Sequence, residues 1–374
     1  MSVYALSVMK HREKPLKQPL SPGLLAATLI SMMTGWQFPL YAQLVPQETP
    51  SLAQTGQISQ GILSDPILRH TLIGHTTPIR SLIFSRDGRT LISGGGTNEP
   101  FLKFWSVETG EEVDTLRAQS SAILTVALSP NGQTLVTSGE DADIHFWSLP
   151  AIEGKVTFFD HYSYVLALAV TPDSKLVVSG ALDGLRVWTL NPPHFLFQLE
   201  GFGTPAYSLA MHPNGYLVAS GDNRGGVRFW NLRERTLVSE FFPHKESITG
   251  LVITSDGKTL ITASQDATIK LWDIPTGNLI STLVGHKGKI QAIALSPDGK
   301  ILASASNDGV RLWAMEDGRL LRRFSDHADW VNALAFSPNG RFLASGGFDK
   351  MINIWELPPS FWEITPSTIE NILK

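Results

Sequence analysis

Residues 285–325 read GHKGKIQAIALSPDGKILASASNDGVRLWAMEDGRLLRRFS. Residues 290–296, half of them apolar, predict a first strand. Ser296-Pro297-Asp298-Gly299 then turns tightly, with proline presetting one backbone angle and glycine accepting a positive one. Residues 300–306 predict a second strand of small side chains, Asn307-Asp308-Gly309 turns, and 310–315 predict a third strand carrying Trp313. After Glu316-Asp317-Gly318, residues 319–325 predict a fourth strand. Four short strands cannot bury a core alone, so such a unit must stack on copies of itself. The copies are present: Trp105, Trp147, Trp188, Trp230, Trp272, Trp313 and Trp355 fall 42, 41, 42, 42, 41 and 42 residues apart. That period, in units of several strands, marks an all-β array of antiparallel four-stranded blades.

The turn recurs as Ser129-Pro130-Asn131-Gly132, His212-Pro213-Asn214-Gly215 and Ser337-Pro338-Asn339-Gly340, with looser copies at 85–88, 171–174 and 254–257. Gly74-His75 and Gly285-His286 precede two repeats, His161, His244 and His327 stand at the same place in three others, and Trp272-Asp273 ends one. In these features residues 67–356 resemble the WD-repeat family of β-propellers. The resemblance implies seven blades around a central channel. It also implies that residues 67–73, ILRHTLI, supply the outer strand of the last blade and so remove the exposed edges.

A histidine, a Ser or Thr, an Asp four residues later and the tryptophan recur at fixed separations. The sets are His161, Ser179, Asp183 and Trp188; His244, Thr262, Asp266 and Trp272; His286, Ser304, Asp308 and Trp313; and His327, Ser345, Asp349 and Trp355. Each set has the residue types of a base, a nucleophile and an orienting carboxylate. Repetition argues against chemistry, because an enzyme does not need four copies of one active site. In the family resembled, these sets are structural. Departures stand in three repeats: Thr97 where Asp belongs in the first, with an enlarged turn Thr97-Asn98-Glu99-Pro100; Gln119 for histidine in the second, beside Thr137 and Asp141; and Phe202 and Arg224 for histidine and Asp in the fourth, beside Ser220. The first, second and fourth blades are therefore expected to be the softer part of the ring.

The chain carries 30 Lys and Arg against 34 Asp and Glu without a long run of either sign, so nucleic acid is not the expected partner. It has no cysteine, which excludes disulfides, thiolate metal sites and cysteine nucleophiles. Lys10, Arg12, Lys14 and Lys17 precede an apolar heart at 24–33 and a small residue at Ala42, the order of a secretory leader, and export with cleavage after residue 42 is expected. The alternative is an uncleaved membrane anchor over 18–42, and a start at Met9 gives a more usual leader length. Removing 1–42 takes away four basic residues and one Glu, which turns the net charge from -4 to -7. Residues 43–64 form a Gln- and Pro-containing spacer, 65–357 the propeller, and 358–374 a tail with a short helix from Thr365-Pro366.

In a propeller, the residues flanking the central aliphatic of each first strand, and the residue before the turn Asp, face one channel mouth. Here Arg80, Tyr164, Tyr207, Lys289, Trp330 and Phe348 give that mouth aromatic and cationic character, with Ala122, Leu124, Leu166 and Leu182 beside them. Such groups anchor proteins and peptides. A non-enzymatic scaffold without cofactor or metal follows. Asn332, Asn307, Asn223 and Gln291 beside the rings leave a glycan-binding mouth as the alternative. A hydrolase or oxidoreductase needs carboxylates or histidines converging on the axis, and Glu140 alone stands there.

Overall fold

The computed structural model describes residues 65–150, 152–199 and 205–359. The expected leader, the spacer at 43–64, the tail helix and Phe202 lie outside the described residues. Among the described residues twenty-eight strands form seven four-stranded antiparallel sheets. Six blades are continuous in sequence, running from inner to outer strand. They are Ile79–Phe84 to Glu112–Arg117, Ile123–Leu128 to Glu153–Phe158, Val165–Val170 to Pro193–Gln198, Ser208–Met211 to Thr236–Phe241, Ile248–Ile253 to Leu279–Val284, and Ala292–Leu295 to Leu320–Phe324. The first strands pack against one another in chain order, and Val331–Phe336 of blade seven packs on Ile79–Phe84 of blade one, so the ring is closed.

Blade seven is composite. Its fourth strand is the N-terminal Ile67–Ile73, which pairs with Met351–Glu356. Thr71 Oγ donates to Asn353 Oδ1 at 2.8 Å, Leu72 is buried, and Arg69 forms an ion pair with Glu356. Leu72, Ile79, Leu91 and Trp105 share one apolar cluster with Ala333, Ala344, Ile352 and Ile354, so the seam between blades seven and one is dry. Each fully buried Ile or Leu contributes about 1.5–3 kcal/mol. Gly346 has no Cβ for steric cause: one would lie 2.5 Å from Cγ2 of Ile79.

Small side chains let the second strands crowd toward the axis, as in Ile301–Ser306, where every residue is buried. The tryptophans wedge the wider outer gaps, and Trp188 and Trp230 are fully buried. Each Trp faces a register shift in the outer strand, for example between Val187 and Trp188 and between Phe229 and Trp230, and such bulges add the twist that a radial sheet needs. In the sixth unit the first strand is shorter than its apolar run. The amide of Ile290 turns instead to the carbonyl of Ser264 on blade five, at 3.3 Å. The Ser-Pro-Asp-Gly turn forms as expected, with Gly299 at φ 74° and its amide on the Ser296 carbonyl at 2.8 Å.

Candidate functional site

The repeated polar sets stand at the same place in each blade, between the entering loop and the turn that joins the second and third strands. In blade three His161 Nδ1 lies 2.8 Å from Asp183 Oδ1 and Nε2 lies 2.7 Å from Ser179 Oγ, while Trp188 Nε1 donates to the same hydroxyl at 2.9 Å. The carboxylate also accepts the amide of Tyr162 at 3.0 Å, which ties the turn between the second and third strands to the loop entering the blade. Blade five repeats this with His244 2.9 Å from Asp266 and 2.7 Å from Thr262, which accepts from Trp272 at 3.2 Å. Blade six has His286 2.6 Å from Asp308 and 2.7 Å from Ser304, which accepts from Trp313 at 2.8 Å. Blade seven has His327 2.9 Å from Asp349 and 2.8 Å from Ser345, which accepts from Trp355 at 3.2 Å.

Although His161 and Asp183 are placed as an ion pair, the imidazole is neutral at pH 7. Burial, reinforced by the adjacent Arg186 guanidinium, holds it down to about 4 against the pull of Asp183. Burial pushes the Asp183 carboxyl up, but the Tyr162 amide, His161 and Arg186 outweigh it and bring it to about 2. The hydroxyl of Ser179 is therefore engaged by both the imidazole and the indole, an arrangement that locks the second and third strands to the loop entering the blade.

Three blades solve the same problem differently. In blade one Thr97, which the spacing puts at the carboxylate position, instead donates to Glu140 of blade two at 2.9 Å. Glu99, two residues further on in the enlarged turn, takes the role. It lies 2.9 Å from His75 Nδ1 and accepts the amides of Thr76 and Thr77 at 3.1 and 3.0 Å and the Thr77 hydroxyl at 2.8 Å. Blade one is thus fully latched, which removes the ground for expecting it to be soft. In blade four Arg224 is exposed. The buried carboxylate is Asp222, which accepts from the Arg224 and Gly226 amides and from Arg228 Nη1, each at 2.8 Å. In blade two Gln119 Nε2 donates to Thr137 Oγ at 3.3 Å, and Asp141 accepts the Ser120 amide at 2.7 Å.

The mouth residues lie just above these latches. The amide of Leu182 bonds the Tyr164 carbonyl at 3.2 Å and that of Phe348 bonds the Trp330 carbonyl at 2.7 Å, the same tie that joins Gln265 to Ser247 in blade five. Recurrence at one repeat position puts them at one end of the ring. Tyr164 is 48% exposed, and Tyr207, Leu182 and Phe348 are slightly over a third exposed. The Arg80 guanidinium stacks 5.2 Å from the centroid of Phe348, Lys289 is 3.2 Å from Gln265 Oε1, and Trp330 is half-buried. Ala122, expected at the mouth, is instead fully buried in the packing between strands. Tyr162, 88% exposed, is a further aromatic of blade three, in the loop before its first strand, with the Arg186 guanidinium 5.8 Å from its ring centroid. Its signal in the sequence is its place directly after the repeat histidine, where other blades carry Thr76, Lys245, Lys287 or Ala328.

The family model described as WD domain, G-beta repeat matches residues 67–106, 110–148, 154–188, 194–231, 235–273, 277–314 and 318–356. Among curated relatives, Actin-interacting protein 1 of Drosophila melanogaster is 32% identical over 173 residues, 44% of this chain and 28% of that protein. Apoptotic protease-activating factor 1 of Rattus norvegicus is 27% identical over 203 residues, 51% of this chain and 16% of that protein. Small ribosomal subunit protein RACK1y of Oryza sativa is 29% identical over 145 residues, 36% of this chain and 43% of that protein. These matches span less than half the length of each of the three relatives. Seven matched repeats folded as seven closed blades make this chain a member of the WD-repeat family of β-propellers.

Proposed function

We propose that the propeller is a non-enzymatic scaffold that holds a protein or peptide partner at its channel mouth, outside the cytoplasm. The observation that carries the reading is the exposure of Tyr162, Tyr164, Leu182 and Tyr207 on two adjacent blades, each ring or chain seated on a rigid hydrogen-bonded turn. Exposed aromatics on a preorganised frame lose little entropy on binding and give large contact area. Members of this family generally act as protein-interaction scaffolds, and one relative is named for interaction with actin. The repeated His, Ser or Thr and Asp sets support the absence of chemistry, because their hydroxyls are buried and doubly engaged. Export rests on the leader-like residues 1–42.

The test is affinity capture from the envelope fraction with the full chain and with Tyr164→Ala/Tyr207→Ala. Neither tyrosine side chain supports a latch, so circular dichroism and melting should stay unchanged while the retained partner is lost. Equal capture by both proteins sinks the mouth as the binding surface. Retention of glycans in place of protein would favour the sugar-binding alternative. A mature N-terminus at Gln43 in fractionated cells supports export, and a cytoplasmic chain beginning at Met1 or Met9 overturns it.

A further inference from the structure

Blade two departs from its neighbours at two further positions. Two residues before the tryptophan, the other blades carry Lys103, Arg186, Arg228, Lys270, Arg311 and Asn353, and blade two alone carries His145. In blades three and six this residue neutralises the turn carboxylate: Arg186 reaches Asp183 at 2.9 Å and Arg311 reaches Asp308 at 2.7 Å. Blade two has lost that guanidinium and gained a second carboxylate, Asp143, beside Asp141. One carboxylate oxygen of each and an imidazole nitrogen of His145 all lie within 4.8 Å of one another.

Two further observations point to a ligand there. His145 is 3% exposed; its Nδ1 is 2.9 Å from Thr157 Oγ, and its Nε2 makes no hydrogen bond to the described residues. One ring nitrogen held by a neighbouring group while the other stays open is how proteins orient a metal-binding imidazole. Gln119, also 3% exposed, lines the same cavity of about 260 Å³ as Asp143 and His145, and its Oε1 has no hydrogen-bond partner. A buried amide oxygen without a donor is costly in a packed protein and is satisfied by a cation or by its water.

We propose that Asp141, Asp143 and His145, with Gln119 as a further oxygen donor directly or through water, form a binding site for a divalent first-row transition metal ion on blade two. Mixed imidazole and carboxylate donors favour Zn²⁺ or Mn²⁺ over Ca²⁺ and Mg²⁺, which prefer oxygen alone. Asp143 stands beside Asp141, and a bound cation removes the repulsion between the two carboxylates. Lys155 and Arg117 also line the cavity, so their charges oppose the ion and limit its affinity.

The experiment is calorimetric titration of the metal-stripped full chain with ZnCl₂ and MnCl₂, with CaCl₂ and MgCl₂ for comparison, paired with melting curves. One equivalent of Zn²⁺ should bind and raise Tm. His145→Arg restores the residue type of blades three, four and six, and with Asp143→Asn it should weaken binding by about tenfold or more. Lys155→Met should tighten binding, an effect that a purely structural role for these residues does not produce. The proposal is overturned if no saturable binding occurs below about 1 mM, or if His145→Arg and Asp143→Asn bind like wild type, which would assign the ion to an exposed histidine such as His194.

Discussion

Glu99→Gln is the most demanding test of the latch in blade one. Glu99 is 4% exposed and accepts from His75, from two amides and from one hydroxyl. Burial alone would raise its carboxyl, but the hydrogen bonds of His75 and Thr77 outweigh it and lower it from 4.5 to about 2. A fall of that size, at about 1.4 kcal/mol per pH unit, makes ionised Glu99 worth about 3 kcal/mol to the fold. A carboxyl lowered in the folded state contributes fully above about 4.5 and loses its contribution as pH falls through about 2. Glutamine keeps the shape without the charge, so the variant should lose about 3 kcal/mol at neutral pH. With an unfolding entropy of roughly 2.1 cal/mol/K per residue over about 290 residues, that lowers Tm by about 5 °C. Scanning calorimetry at pH 7 and pH 3 checks both terms, and the gap between the proteins should shrink to about half at pH 3. If the variant melts within about 1 °C of wild type at pH 7, and the Thr76 and Thr77 amides exchange at wild-type rates, Glu99 does not hold the latch.

In blade four, Asp222→Ala should cost about 3 kcal/mol, because it removes the buried acceptor of two amides and of one of the Arg228 ion pairs. Arg224→Ala, at an exposed side chain, should stay within about 0.5 kcal/mol; urea titrations that rank the two the other way would refute the assignment. A chain beginning at Gly74, without the Ile67–Ile73 strand, should melt as a whole at a clearly lower temperature rather than lose one blade. An unchanged calorimetric transition would show that the closing strand is dispensable.

The architecture was legible because tryptophan and turn spacings are one-dimensional signals, and seven copies of each leave little room for another fold. The polar sets could be written down for the same reason wherever the Asp stands four residues after the Ser or Thr. Where turn geometry changes, the count fails. Glu99 reaches the same imidazole from two residues further along because its side chain is longer and its turn is enlarged. Asp222 reaches into blade four from two residues earlier, a position that spacing alone passes over. The mouth was legible only as a set of positions, since exposure depends on what packs beside each one: Ala122 is buried, and Tyr162, 88% exposed, stands outside those positions. The carboxylate and imidazole cluster of blade two joins a loop, a turn and two strands, and only cross-strand register brings His145 to Thr157.

The composite seventh blade also bears on how the chain is made. Ile67–Ile73 leaves the ribosome before any of its partners, and Met351–Glu356 is the last of the described strands to emerge. At ordinary elongation speed the interval is on the order of tens of seconds. Throughout it a strand with both backbone edges bare coexists with an incomplete ring, so the nascent chain needs either rapid release or a holding factor to avoid pairing with a neighbour.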